Sequence, residues 1–192
     1  MTFCSGAIAL VTAITATTLT LSSHAGGEGD TVSCSVDNPS FELGPGLQGN
    51  PVSGWTSIGN VGLSSVWTTH GSKAVYMFGP FTGQLDYSRL YNVVECYSGW
   101  RHTLKVDVGH TSTTPLEGSA RAYCTVRWMN ESGQQLGEQI VTLLNAASPT
   151  DEMFTVEFDF DSAPNGTRTM QVELSFLQTA AQESGRAWID NL

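Results

Sequence analysis

Short runs of alternating hydrophobic and polar residues recur along most of the chain. The clearest covers residues 103–108, where Leu and Val occupy one face and Thr, Lys and Asp the other, and residues 154–160 and 170–176 repeat the pattern. Strict alternation of this kind predicts half-buried strands. The other predicted strands, each bounded by turn residues, are residues 32–36, 57–61, 73–78, 85–93, 120–129, 138–144 and 186–190.

The number and spacing of these strands predict the fold class. Roughly ten strands at spacings of about 10–15 residues indicate an all-β, two-sheet antiparallel jelly-roll sandwich. No segment keeps a 3.6-residue period. Residues 138–147 are the one place where a short helix competes, and the β-branched Ile140, Val141 and Thr142 favour a strand there.

The first 25 residues differ from the rest. Residues 7–21 are apolar apart from threonines and carry no charge, and small residues at Ser23 and Ala25 suit a signal peptidase. The sequence therefore predicts a signal peptide over residues 1–25, a glycine-rich linker over 26–31 and one sandwich domain over 32–192. Because residues 1–5 contain neither Lys nor Arg, a membrane anchor or a misassigned start codon stays an alternative. The apolar run is short for a transmembrane helix.

The charge balance limits the partners of the protein. Eighteen acidic residues against eight basic ones give a formal net charge of −10. A nucleic-acid-binding surface would be basic, and an acidic protein does not adhere to anionic membranes, so both partners are disfavoured. We expect a secreted or cell-surface protein that is a monomer or one module of a larger protein. The chain stops soon after Asp190, which suggests a fragment of a longer gene product.

Cysteine usage fits an oxidising compartment. Removal of the signal peptide takes Cys4 and leaves Cys34, Cys96 and Cys124, an odd number that allows at most one internal disulfide. The alternation places Cys124 on the inward face of its strand, and Cys96–Cys124 is the favoured pair. Isolated cysteines without a Cys-x-x-Cys motif do not indicate a zinc site.

Five short motifs follow one another in a fixed order. They are Asn-Pro-Ser-Phe-Glu at 38–42, Gly-Trp at 54–55, His-Gly-Ser-Lys-Ala-Val at 70–75, Thr-Leu-Lys-Val-Asp-Val-Gly at 103–109 with Gly99 before it, and Gly-Arg-Ala-Trp-Ile-Asp-Asn at 185–191. Their order over residues 36–191 resembles the galactose-binding-domain-like jelly roll, and most closely the carbohydrate-binding modules of the family 4, 9 and 22 kind. The resemblance implies a non-catalytic module that binds a polysaccharide or oligosaccharide.

The resemblance also implies a structural calcium ion that ties the first and last strands together. Carried over by motif, its ligands are the carbonyl of Ser40, Glu42, the carbonyl of Lys73 and Asp190. Calcium prefers six to eight oxygen ligands, which carboxylates and turn carbonyls supply. The alternative is that Glu42 caps a turn and Asp190 pairs with a base.

Sugar recognition uses aromatic rings against pyranose faces and polar groups that bind hydroxyls. The alternation points one set of such side chains away from the core, and this predicted binding strip comprises Tyr76, Arg121, Tyr123, Gln171 and Glu173. The alternative for an outward Tyr is cross-strand packing. Trp55 is expected to pack in the core, and Tyr87, Tyr91 and Tyr97 to lie in loops or at strand edges that suit the rim of a site.

Catalysis finds little support in the sequence. No nucleophile elbow and no His-Glu-x-x-His motif is present, and no catalytic residue is assigned. A small polysaccharide lyase using Tyr123 with Arg121 or Arg127 is a minor alternative. A structural or adhesive extracellular domain is a stronger one, since fold alone does not determine function. A glycan module predicts exposed aromatic residues on one sheet, whereas a structural domain predicts Ser and Thr there.

Overall fold

The computed structural model describes residues 21–24, 31–34, 36–45, 50–180 and 183–192. The predicted signal peptide and linker lie outside these residues, apart from 21–24 and 31. Within the described part of the chain, no helix is long and apolar enough to cross a membrane. The strands are β1 (Leu21–His24), β2 (Thr31–Cys34), β3 (Thr56–Ile58), β4 (Asn60–Ser64), β5 (Ala74–Phe78), β6 (Asp86–Glu95), β7 (Thr103–His110), β8 (Arg121–Met129), β9 (Gln135–Leu144), β10 (Glu152–Asp159), β11 (Thr169–Gln178) and β12 (Arg186–Asp190).

Ten of these strands form two five-stranded sheets, and β1 pairs with β2 in a separate hairpin. The first sheet has the order β10-β7-β12-β5-β4, and the second sheet has the order β3-β6-β11-β8-β9. Every strand pairing is antiparallel. The predicted all-β sandwich is confirmed, and residues 138–144 belong to a strand as the β-branched residues indicated.

The core lies between the two sheets. Alternate residues of each strand point inward, so Val106 and Met77 of the first sheet and Leu174 of the second are all fully buried. Trp55 closes one end of the core: it is buried, its ring lies 5.5 Å from that of Phe41, and its Nε1 donates to the carbonyl of Asp37 at 2.6 Å. The predicted packing role of Trp55 is confirmed.

One predicted strand is two strands. Residues 57–61 divide at Gly59, whose φ of 78° lies in the left-handed region that strands do not use. The residues before it pair with β6 in the second sheet, and those after it pair with β5 in the first. The turn is fixed by Ser88, whose hydroxyl accepts from Asn60 N at 2.9 Å and donates to Phe78 O at 2.6 Å. Gly59 is therefore the point where the chain crosses between sheets.

The predicted Cys96–Cys124 disulfide is wrong, since both residues are buried without forming that bond. The β11 register explains why: Cys124 pairs with Leu174, whereas Cys96 follows Glu95, which pairs with Thr169. Five residues of strand separate these positions by about 16 Å, more than twice the Cα separation that a disulfide spans. Cys124 does point into the core as predicted, and burial raises the pKa of its thiol to about 12, with a smaller contribution from the charge of Glu173.

Candidate functional site

A trough runs along β11 on the outer face of the second sheet. Its floor is the outward-facing Gln171, Glu173, Ser175 and Leu177 of β11. Its walls are the larger side chains on the neighbouring strands, which are Tyr87, Arg89 and Tyr91 of β6 and Tyr123, Thr125 and Arg127 of β8. Small Ser175 lies between Arg89 and Tyr123, which pair with it from either side. Part of the trough forms a cavity of about 290 Å³, which Ile140 of β9 also lines and which Gln171 and Tyr91 do not reach.

Ion pairs fix the polar side chains of the trough. Arg127 donates to Glu173 Oε2 at 2.9 Å and to Glu138 Oε2 at 3.2 Å. Gln171 Nε2 also donates to Glu173 Oε2, at 3.2 Å. Because Glu173 is only 5% exposed, the Arg127 contact offsets the cost of burying its charge. These contacts hold Glu173 in one position at the centre of the floor.

Aromatic rings line both walls of the trough. Tyr87, Tyr91 and Tyr123 are all half-buried, so part of each ring faces solvent. The Arg89 guanidinium lies 4.7 Å from the centroid of the Tyr87 ring, a cation–π contact that orients both side chains. The trough therefore combines apolar ring surface with hydrogen-bonding groups in fixed positions.

The structure places four of the five predicted strip residues on one face, with Tyr123 and Glu173 in the trough cavity and Arg121 and Gln171 outside it. Arg121, Tyr123, Gln171 and Glu173 share the outer face of the second sheet, as the alternation of β8 and β11 predicts. Tyr76 does not join them. It points outward from β5, as predicted, but β5 belongs to the first sheet, so Tyr76 lies on the opposite side of the sandwich.

Sequence reasoning missed Arg89 as a trough residue and treated Tyr87 and Tyr91 only as rim candidates. All three lie at alternate positions of β6, whose outward residues pair directly with the trough floor. The period-2 pattern of residues 85–93 contains this signal. It becomes informative only when β6 is known to lie beside β11.

Three of the four predicted calcium ligands, Glu42, Lys73 and Asp190, lie at one turn, residues 69–73, but both carboxylates already accept hydrogen bonds there. Glu42 accepts from Ser72 N, Ser72 Oγ and Lys73 N at 2.7–3.0 Å. Asp190 Oδ2 accepts from Thr69 N at 2.7 Å and His70 N at 2.9 Å. Burial raises the pKa of Asp190 above its usual value, and the hydrogen bonds, which lower the pKa, offset only part of this effect.

A cation would have to compete for these oxygens. Lys73 Nζ donates to the carbonyl of Glu42 at 3.0 Å, and so places a positive charge beside the predicted ligand set. The described residues contain no group of three or more His, Cys, Asp and Glu that would hold a metal ion. Calcium binding at this turn stays a prediction, in which the ion would displace hydrogen bonds that the two carboxylates make.

Three solved structures share the architecture. An enzymatically active domain of tailspike protein 4 of bacteriophage CBA120 matches with a TM-score of 0.53 and 12% identity, over 80% of this chain and 21% of that one. A β-sandwich carbohydrate-binding module studied for promiscuous specificity matches with a TM-score of 0.52 and 14% identity, over 81% of this chain and 60% of that one. Arabinose-bound α-L-arabinofuranosidase MgGH51 matches with a TM-score of 0.54 and 15% identity, over 85% of this chain and 26% of that one.

These comparisons concern the fold. No protein-family model and no curated protein sequence matches the chain. The chain spans much less than the whole of the tailspike and arabinofuranosidase chains, so it corresponds to one part of each. The protein has a two-sheet antiparallel β-sandwich fold, and a solved carbohydrate-binding module shares it.

Proposed function

We propose that this protein is an exported, non-catalytic carbohydrate-binding module that holds a polysaccharide or oligosaccharide in the β11 trough. The observation that carries the proposal is a set of three tyrosines, Tyr87 and Tyr91 on one wall and Tyr123 on the other, beside a floor that holds a fixed carboxylate. Flat rings pack against the CH groups of a pyranose, and the polar side chains between them select hydroxyl orientation.

The composition of the outer face favours binding over a structural role. A structural domain needs only Ser and Thr on its solvent face, whereas the trough walls carry three tyrosines, and Arg89 and Arg127 as well. Ordering these large side chains costs conformational entropy, a cost that a surface of Ser and Thr avoids. A sugar ligand that packs on these rings accounts for their presence, which supports the binding module over the structural-domain alternative.

The trough groups have distinct roles in this proposal. The Tyr123 and Tyr87 rings, which both line the cavity, supply the apolar contact. Both donors to Glu173 reach Oε2, which leaves Oε1 to accept from a sugar hydroxyl. Arg127 is held by two carboxylates and keeps Glu173 in position. No group in the trough is assigned a proton-transfer step.

The first test is the replacement of Tyr123 by Ala. We expect affinity for the bound polysaccharide to fall at least tenfold, about 1.4 kcal/mol, because a stacking platform is lost. Binding is measured by isothermal titration calorimetry after a panel of soluble polysaccharides has identified the ligand. Release of reducing ends or unsaturated products is followed in the same wells.

The matched control is Tyr97→Ala, which removes a 40% exposed tyrosine outside the trough. Its affinity should equal that of the wild type. Unchanged affinity in Tyr123→Ala, with both variants folded, would remove the trough from the proposal. Product release would show an enzyme instead of a binding module.

A further inference from the structure

A second cavity lies on the other side of the sandwich, at one end of the outer face of the first sheet. Its volume is about 430 Å³, within the range of small-molecule pockets. Its lining combines two aromatic rings, three hydroxyl side chains and one guanidinium, from Phe78, Phe81, Thr113, Thr114, Ser184 and Arg186. We call it the arginine cavity, and it shares no residue with the trough.

Arg186 carries a charge that the described part of the protein does not neutralise. No described carboxylate lies within 4.0 Å of its guanidinium, in contrast to Arg127, which has two. Its Nε is buried without a hydrogen-bond partner. Because Arg186 lines the cavity without a carboxylate partner, an anion bound there would compensate its charge.

Aromatic side chains hold this guanidinium in place. Its Cζ lies 5.0 Å from the centroid of the Tyr76 ring and 5.9 Å from those of Phe78 and Trp188. Gly62 makes room for this arrangement, since a Cβ there would lie 2.4 Å from Tyr76 Cζ. A planar guanidinium stacked on rings keeps its edge in a fixed orientation, which favours two-point binding of a carboxylate.

Buried Gln178 fixes the walls of the arginine cavity. Its Oε1 accepts from Phe81 N at 2.8 Å, and its Nε2 donates to Glu183 O at 2.7 Å. Phe81 has a φ of 57°, a conformation that is strained for a bulky side chain, and its ring is 49% exposed. Backbone strain at a residue that exposes an apolar ring to solvent is typical of a ligand site.

We propose that the arginine cavity binds a carboxylate-bearing sugar, a uronate, as a second site distinct from the trough. Arg186 takes the carboxylate, the Phe81 ring covers an apolar face of the pyranose, and the hydroxyls of Thr113 and Thr114 bind those of the sugar. The hydroxyl-rich lining favours a sugar over an acidic peptide. This inference does not depend on the trough being a glycan site.

The test compares trigalacturonate with its methyl ester, which has the same shape but no charge. The wild type should bind trigalacturonate at least tenfold more tightly than the ester, by isothermal titration calorimetry in 0.1 M salt. Arg186→Gln should abolish this preference, and Arg186→Lys should restore it only in part, because a lysine lacks the planar fork. No binding by the wild type, or an equal affinity for both ligands, would overturn the proposal.

Two further variants keep the test decisive if Arg186→Gln unfolds. Phe81→Ala changes an exposed ring and should weaken trigalacturonate binding at least fivefold in a folded protein. Tyr97→Ala, which changes neither the trough nor the arginine cavity, should leave trigalacturonate affinity unchanged. Loss of binding in Tyr123→Ala alone would assign the uronate to the trough and overturn the second site. Equal affinity for triglutamate would overturn the assignment to a sugar.

Discussion

His102 shows how burial changes the chemistry of a single side chain. It is 1% exposed, its Nε2 lies 3.7 Å from Cys96 Sγ, and its Nδ1 has no hydrogen-bond partner. Loss of solvent disfavours the imidazolium and lowers the pKa of His102 from 6.5 to about 4. The folded protein therefore keeps this histidine neutral at pH values where an unfolded chain would protonate it.

The consequence is a pH-dependent free energy of unfolding. Because the folded pKa lies below the unfolded one, the stabilising contribution is complete above pH 6.5 and is lost as the pH falls towards 4. The slope from this residue should reach at most about 1.4 kcal/mol per pH unit. Denaturant unfolding at several pH values measures it.

Carboxylates also titrate in this range, so the difference between the wild type and His102→Phe isolates the histidine. The variant should lose less stability than the wild type between pH 6.5 and 4. A difference that does not change with pH would contradict the buried neutral histidine.

Tyr76 marks the limit of sequence reasoning at the residue scale. The alternation of β5 correctly predicts that Tyr76 points away from the core, opposite buried Val75 and Met77. A period of two residues distinguishes inward from outward, but both sheets of a sandwich have an outward face. Which face a tyrosine joins depends on which strands pair, and the pairing of distant strands is not encoded in local periodicity.

At the scale of elements, the sheet crossing at Gly59 depends on one residue type. A Cβ at this position would lie 2.8 Å from Ser88 Oγ and 3.1 Å from Ser88 Cα, and the φ of 78° disfavours any L side chain. Gly59→Ala should therefore be destabilised by strain and by contact with Ser88. We expect a loss of about 2–4 kcal/mol, measured by denaturant unfolding.

Gly133 provides the matched control for this prediction. Its φ is 77°, and an added Cβ would meet nothing within 4 Å. Gly133→Ala should lose only the conformational contribution, about 1–2 kcal/mol. Equal losses in the two variants would show that Ser88 does not restrict the crossing.

Most strands were predictable because their alternation is local. The sequence pattern of residues 170–176 gives the inward set of β11 directly, and Met170, Val172, Leu174 and Phe176 are all buried. The same pattern does not show that residues 57–61 serve two sheets, since Ser57 and Val61 both fit a strand. A glycine at the centre of a strand-like run was the signal that the sequence offered.

At the scale of the whole molecule, the 69–73 turn joins segments from both ends of the described chain. Glu42 and Asp190 bind its amides from different directions. If calcium stabilises this junction, the Tm should be higher in calcium than in chelator, because a ligand that binds only the folded state raises its stability. Thermal unfolding followed by circular dichroism provides the measurement.

Magnesium at equal concentration controls for ionic strength. The Glu42→Gln variant tests whether the Glu42 carboxylate is a calcium ligand. The calcium-dependent rise in Tm should be absent with magnesium and reduced in the variant. An identical Tm in calcium and in chelator would show that the turn amides and Lys73 hold the junction without a cation.

The position of β12 has a consequence for how the protein is made. It is the central strand of the first sheet, hydrogen-bonded to β5 on one side and β7 on the other, yet it follows every other strand in the sequence. During synthesis β5 and β7 leave the ribosome with open edges, and such edges invite pairing with other chains. The first sheet can be completed only after Arg186–Asp190 has left the ribosome, so a chaperone that shields those edges until then would increase the yield.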